Sequence, residues 1–226
     1  MTSSNILFDQ LKANCTQDWA AYVEHEFVRQ LGAGTLPEAA FRQYLIQDYL
    51  FLIQFARAYA LAVYKSDTLP DMRQAAAGMS AILDIEIGLH VEFCAGWGLT
   101  EADMQSAPEA SACMAYTRFV LERGMAGDLL DLHATLAPCI VGYAEIGAML
   151  TADPDTMVDG NPYTPWIDMY AGNEYQEVAA SEKAFLDDLL ARRGGPGRMA
   201  ALSDTFTKAT RLEVDFWQMG LDHMET

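Results

Sequence analysis

"GTLPEAAFRQYLIQDYLFLIQFARAYALAVYKS", residues 34–66, decides the fold. Thr35 is placed to cap a helix and Pro37 to sit in its first turn, where the missing proline N–H costs nothing. From there the run is apolar as far as Lys65, with side chains recurring at helical and not alternating spacings. A helix this long crosses a domain, and one apolar nearly all round needs cover on every side. The stretch predicts a layered helical bundle with this segment at its centre. Burial between subunits is a second way to cover it.

Working outward, the same periodicity recurs. Residues 3–31 open with serine caps and carry Leu7, Leu11, Trp19, Tyr22, Val23, Phe27 and Leu31 at helical spacings. Further helices are predicted over about 70–97, ending at Gly98, and over about 106–124. Another covers 128–150, interrupted at Pro138. "TADPDTMVDGNP" (151–162) reads as a loop from its Asp, Pro and Gly content. Two helices follow over 163–172 and 173–193, "RRGGPG" breaks the chain, and a last helix runs to the C-terminus. No alternating strand pattern, repeat or composition shift appears. Residues 1–226 are therefore expected to form a single all-α domain, a multi-helix bundle.

Charge and cysteine usage narrow the function. Thirty-two acids against fourteen bases give a net charge of −18. A surface this acidic repels phosphate backbones and anionic lipid, so neither nucleic acid nor membrane is expected as a partner. The N-terminus lacks the layout of a signal peptide, and no 18-residue apolar run is evident, so a cytoplasmic protein is expected. Cys15, Cys94, Cys113 and Cys139 show no CxxC spacing and read as reduced thiols.

Three segments set an ionisable group on an aromatic helix face. In "QDYLFLIQFARAY", Asp48 shares a stripe with Phe51, Leu52, Phe55 and Tyr59. A carboxylate there is costly unless paired or used. In "LHATLAPCIVGYAEIG" (132–147), Pro138 is expected to kink or restart the helix. That would set Cys139 beside a helix N-terminus, where the dipole favours thiolate. Tyr143 lies one turn on, while Glu145 points to another helix, and Gly142 and Gly147 allow close helix approach. In "ATRLEVDFWQMGL", Glu213 shares a face with Phe216, Trp217 and Gly220, and Asp215 faces out. A buried, inert cysteine and acids at the edges of core stripes would explain each segment singly. Together they supply a nucleophile, proton-handling carboxylates and rings that stack on a flat polar substrate. Two rivals are weaker. Glu86 and His90 lie at i, i+4, whereas di-metal bundles need repeated Glu-x-x-His pairs, and His25 alone is poor support for haem.

"FRQYLIQDYLFL", "LAPCIVGYAEIG", "PWIDMYAG" and "FTKATRLEVDFWQMG" together resemble, in order, the signature segments of the TenA/thiaminase II family, over essentially the whole chain. The resemblance implies a haem-oxygenase-like all-α fold, a homotetramer, and no metal or other cofactor. It implies hydrolysis of 4-amino-5-aminomethyl-2-methylpyrimidine to the hydroxymethyl pyrimidine in thiamin salvage, with cleavage of thiamin as a further activity. By the same resemblance Cys139 is the nucleophile, attacking the ring carbon beside N1, and Glu213 is the acid/base. Asp48 binds the pyrimidine amino and ring-nitrogen edge, and Tyr143, Tyr170 and Tyr116 line the pocket. Phe51 stands where many members have a substrate-contacting tyrosine. The 151–162 loop is longer than usual, with Asn161-Pro162 in place of a frequent His-Pro. A non-catalytic protein binding a pyrimidine or thiamin-related ligand is the alternative.

Overall fold

The computed structural model describes residues 6–223, and all regular structure among them is helical. The all-α expectation holds. In chain order the helices begin with α1 (Ile6–Asn14), α2 (Thr16–Val23), α3 (Glu26–Gly32), α4 (Glu38–Lys65), α5 (Leu69–Ala81) and α6 (Ile87–Ala95). They continue with α7 (Glu101–Ser106), α8 (Ser111–Ala126), α9 (Leu129–Ala152), α10 (Thr164–Ala171), α11 (Asn173–Arg193) and α12 (Arg198–Asp222). The described residues divide into two compact units, one of residues 6–37 with 133–218 and one of 38–132 with 219–223.

In the second unit α4 is the hub, packed against α5, α6, α7 and α8. Its buried side chains, among them Phe41, Tyr44, Leu45, Phe51, Leu52, Phe55 and Tyr59, occupy more than one face. Each large apolar side chain so buried is worth roughly 1.5–3 kcal/mol of transfer energy. Thr35 does not cap this helix. Its N–H donates to the Gln30 carbonyl at 2.9 Å, so it closes α3 instead. A π-helical turn, Ile82–Glu86, joins α5 to α6, leaving one continuous helical run close to the expected 70–97.

The helix expected over 106–124 is split. A residue before proline is pushed out of the helical region, and Ala107, before Pro108, has ψ 142°. Gln47 fastens the break, donating from Nε2 to the Pro108 carbonyl (3.0 Å) and accepting the Ala110 N–H (2.8 Å). The opening stretch is likewise three helices, not one. At the last break the His25 Nδ1 accepts the Phe27 N–H at 3.2 Å and caps α3. The expected serine caps lie outside the described residues.

The sharpest correction concerns Pro138. It neither restarts nor breaks the helix: α9 runs unbroken through it. Proline forfeits one backbone hydrogen bond and crowds the preceding turn. The remaining bonds of a 24-residue helix and its packing outweigh that. The Tyr22 hydroxyl donates to the Pro138 carbonyl at 3.3 Å. Gly142 makes room for that ring, which would lie 2.2 Å from a Cβ at this position. α9 is long and apolar enough to cross a membrane, but 72% of its most apolar window is buried within the protein, as suits a core helix.

Candidate functional site

Four of the seven candidate residues lie in the first unit. Cys139 and Tyr143 are one turn apart on α9 and so share a face. Cys139 is half-buried, whereas Cys15, Cys94 and Cys113 are buried. Because α9 is continuous, Cys139 sits mid-helix, and the expected stabilisation of its thiolate by a helix N-terminus does not apply. Tyr143 is walled by three rings: Tyr170 at 4.9 Å edge-on, Trp217 at 5.3 Å and Trp166 at 5.8 Å. Trp166 lies 4.5 Å from Tyr170 on α10, and Phe27 stacks on Trp217 at 4.9 Å. Aromatic pairs at such spacings add about 0.5–1.5 kcal/mol each beyond area burial, which favours this arrangement of the wall. Glu213, on α12, is 2% exposed, and Asp215 faces solvent as its spacing predicts.

Small residues and amides set this wall. Gly147 lets α9 touch the backbone of α10, because a Cβ there would lie 2.6 Å from the Ala171 nitrogen. Gln176, from α11, donates to the carbonyls of Ala144 and Tyr170, both at 2.8 Å. Glu145 points to other helices as expected, accepting from Lys12 Nζ (2.7 Å) and Trp19 Nε1 (3.0 Å). The 151–162 loop is anchored by Asn161, whose Nδ2 donates to the carbonyls of Leu31 and Gly32 at 3.1 Å.

Asp48, Phe51 and Tyr116 belong to the second unit. Phe51 stacks on Phe55 and packs against Tyr116, each at 5.1 Å, and both Phe51 and Tyr116 are buried. Asp48 is 4% exposed and held by two groups on one oxygen. Its Oδ2 accepts from the Tyr44 hydroxyl at 3.3 Å and lies 2.6 Å from His90 Nε2. The other ring nitrogen, Nδ1, lies 2.9 Å from the Glu86 carbonyl. Burial alone would lower the His90 pKa, but the hydrogen bond and charge of Asp48 outweigh it and the value is raised. The nearby thiol of Cys113 is pushed far up by burial, with Glu109 and Asp48 adding to the effect.

His90 is the residue that sequence reasoning missed. Its spacing from Glu86 was visible, but the link runs to the Glu86 carbonyl, not its carboxylate, and the charged partner is Asp48 on another helix. The usable signal was the buried acid itself, which needs a partner. Trp166 and Trp217 were quoted within motifs without being assigned to the wall. His25, the residue behind the haem alternative, has its Nδ1 engaged in a helix cap.

Comparison with known proteins agrees with this architecture. The chain is 42% identical to an uncharacterised protein of Haemophilus influenzae over 216 residues, 96% of this chain and 99% of that one. It is 34% identical to the aminopyrimidine aminohydrolase of Halalkalibacterium halodurans, over 89% of each. The crystal structure of a TenA family transcription regulator from Silicibacter sp. TM1040 superposes with a TM-score of 0.90 at 46% identity, covering 95% of this chain and 96% of that one. The description of the TENA/THI-4/PQQC family matches residues 12–223. From helix order to motif, this chain belongs to the TENA/THI-4/PQQC family.

Proposed function

We propose that this chain is an aminopyrimidine aminohydrolase of thiamin salvage, converting 4-amino-5-aminomethyl-2-methylpyrimidine and water to the hydroxymethyl pyrimidine and ammonia. The observation that carries the reading is Cys139, the one half-buried thiol of four, on the helix face that bears the walled-in Tyr143. The aminohydrolase of Halalkalibacterium halodurans supports the reaction class.

In the proposed sequence the Cys139 thiolate forms a bond to the ring carbon beside N1, and Glu213 delivers a proton to N1. With aromaticity broken, the ring electrons expel the exocyclic amine, which carries its own proton as an ammonium group, as ammonia and leave an exocyclic methylene. Water adds to that carbon and gives its spare proton to solvent, where it is taken up by the released ammonia. The N1 proton returns to Glu213, and the carbon–sulfur bond breaks to restore the ring and the thiolate. Asp48 accepts from the 4-amino group, and Tyr143, Tyr170, Tyr116 and Phe51 are the proposed substrate-binding side chains. Thiamin enters the same sequence with its thiazolium as leaving group. We further propose that residues 1–226 act as one functional domain, that the protein is cytoplasmic, and that it works as a homotetramer without cofactor. Leu83 and Ile85, exposed at 48% and 62% in the helical run that includes α6, support burial between copies.

Ammonia release from the aminomethyl pyrimidine tests the reading, with wild type and Cys139→Ser side by side. Turnover in wild type alone is expected, and Glu213→Gln should lose it too. Binding without ammonia from either protein would favour the non-catalytic binding protein.

A further inference from the structure

We propose that His90 is a positioning residue for Asp48, holding one carboxylate oxygen so that the other is presented to the amino edge of the substrate. The inference rests on the assignment of Asp48 to substrate binding made above.

The argument begins with protons. A carbonyl only accepts, so the 2.9 Å contact to Glu86 requires the proton on His90 Nδ1. Nε2 then faces a carboxylate oxygen at 2.6 Å, and two bare acceptors do not approach so closely. One further proton therefore lies between them, and the raised His90 pKa assigns it to Nε2, so that the ring donates to Oδ2. Both members are buried, His90 at 2% and Asp48 at 4% exposure. The groups facing the pair are Asp48 and Tyr44 from α4, the carbonyl and charge of Glu86 from the π turn, and the protonated thiol of Cys113 from α8.

The geometry also chooses the oxygen. Tyr44 and His90 converge on Oδ2, so the carboxylate cannot rotate without breaking both contacts. The π turn is part of the device, because Glu86 is its last residue and its carbonyl fixes the ring. Oδ1 is thereby given one direction in which to accept an exocyclic N–H. Pre-orientation of this kind acts on binding, not on bond breaking.

The test uses full-length protein in a Cys139→Ser background, with calorimetric binding of 4-amino-5-aminomethyl-2-methylpyrimidine, and the same His90 variants with Cys139 intact for kinetics. His90→Leu should weaken binding about tenfold or more. His90→Gln, whose amide can still donate to Oδ2, should recover most of it. With Cys139 intact, His90→Leu should raise KM more than it lowers kcat. Nitrogen NMR of the wild-type imidazole at pH 7 should show protons on both ring nitrogens, and Asp48→Asn should leave only Nδ1 protonated. This measurement decides the matter even if His90→Leu fails to fold. A bare Nε2 in wild type, or His90→Leu binding as tightly as its parent, would overturn the inference. Unchanged binding in Asp48→Ala would instead remove Asp48 from the site, and tight binding without ammonia from wild type would remove the reaction but leave His90's role standing.

Discussion

Gly147→Ala and Gly88→Ala are the same substitution in helices and are expected to move stability in opposite directions. Replacing an interior helical glycine by alanine gains about 1 kcal/mol of backbone propensity. At Gly88 nothing lies within 4 Å of the new Cβ, so that gain is kept. At Gly147 the Cβ would sit 2.6 Å from both the Ala171 nitrogen and the Tyr170 carbonyl carbon. These are backbone atoms of α10, which no rotamer change can move aside. Overpacking of this kind costs about 1–3 kcal/mol. The propensity gain is common to both variants, so the difference between them isolates the steric cost. For a chain of 226 residues, ~2–4 °C per kcal/mol makes the gap roughly 2–12 °C. Thermal melts of wild type and both variants measure it, and ammonia-release kinetics should show KM raised in Gly147→Ala alone, since α10 carries Tyr170 against Tyr143. A Gly147→Ala protein melting at or above Gly88→Ala would refute the close-approach reasoning.

Two further outcomes follow from the thiols and from His90. Brief iodoacetamide treatment at pH 8 should add one adduct per chain, on Cys139. The thiols of Cys15, Cys94 and Cys113 are buried and raised, Cys94 to about 11 from 9.0. Peptide mass spectrometry finding equal labelling of any second cysteine would contradict this. The raised His90 pKa gives a stability contribution fully present below the ordinary value near 6.5 and lost as pH rises through the folded value. The gap in denaturant midpoint between wild type and His90→Gln should therefore be widest near pH 6 and shrink on going alkaline. Comparing the two proteins also cancels His25, whose lowered pKa, set chiefly by burial, gives the opposite slope below 6.5.

How much of the fold was legible depends on whether the governing force was local. The apolar run of α4 could only be the hub of something helical, because burial on several faces leaves no other solution, and it is. The breaks were misjudged where local rules compete with packing. Pro138 satisfies the rule for a helix break, yet α9 absorbs it. Pro108 satisfies the same rule and breaks the helix, at a point where Gln47 supplies the bonds that the broken backbone needs. Thr35 satisfies the rule for an N-cap but bonds backwards to Gln30.

The site shows the same limit more sharply. Asp48 could be singled out because a lone acid among aromatic residues is an energetic anomaly that one helix suffices to reveal. Its resolution could not, since His90 lies 42 residues away and sequence spacing carries no information about which anomaly pairs with which. The Glu86 spacing raised only a weak metal reading, because i, i+4 proximity names the residue but not the atom. A π turn ending at Glu86 aims the carbonyl at the ring, while the charge that matters arrives from α4. An acid that looks costly in one helix and a histidine that looks idle in another are therefore best read as one question. Each supplies what the other lacks: a counter-charge for the buried carboxylate, and an acceptor for the second imidazole proton.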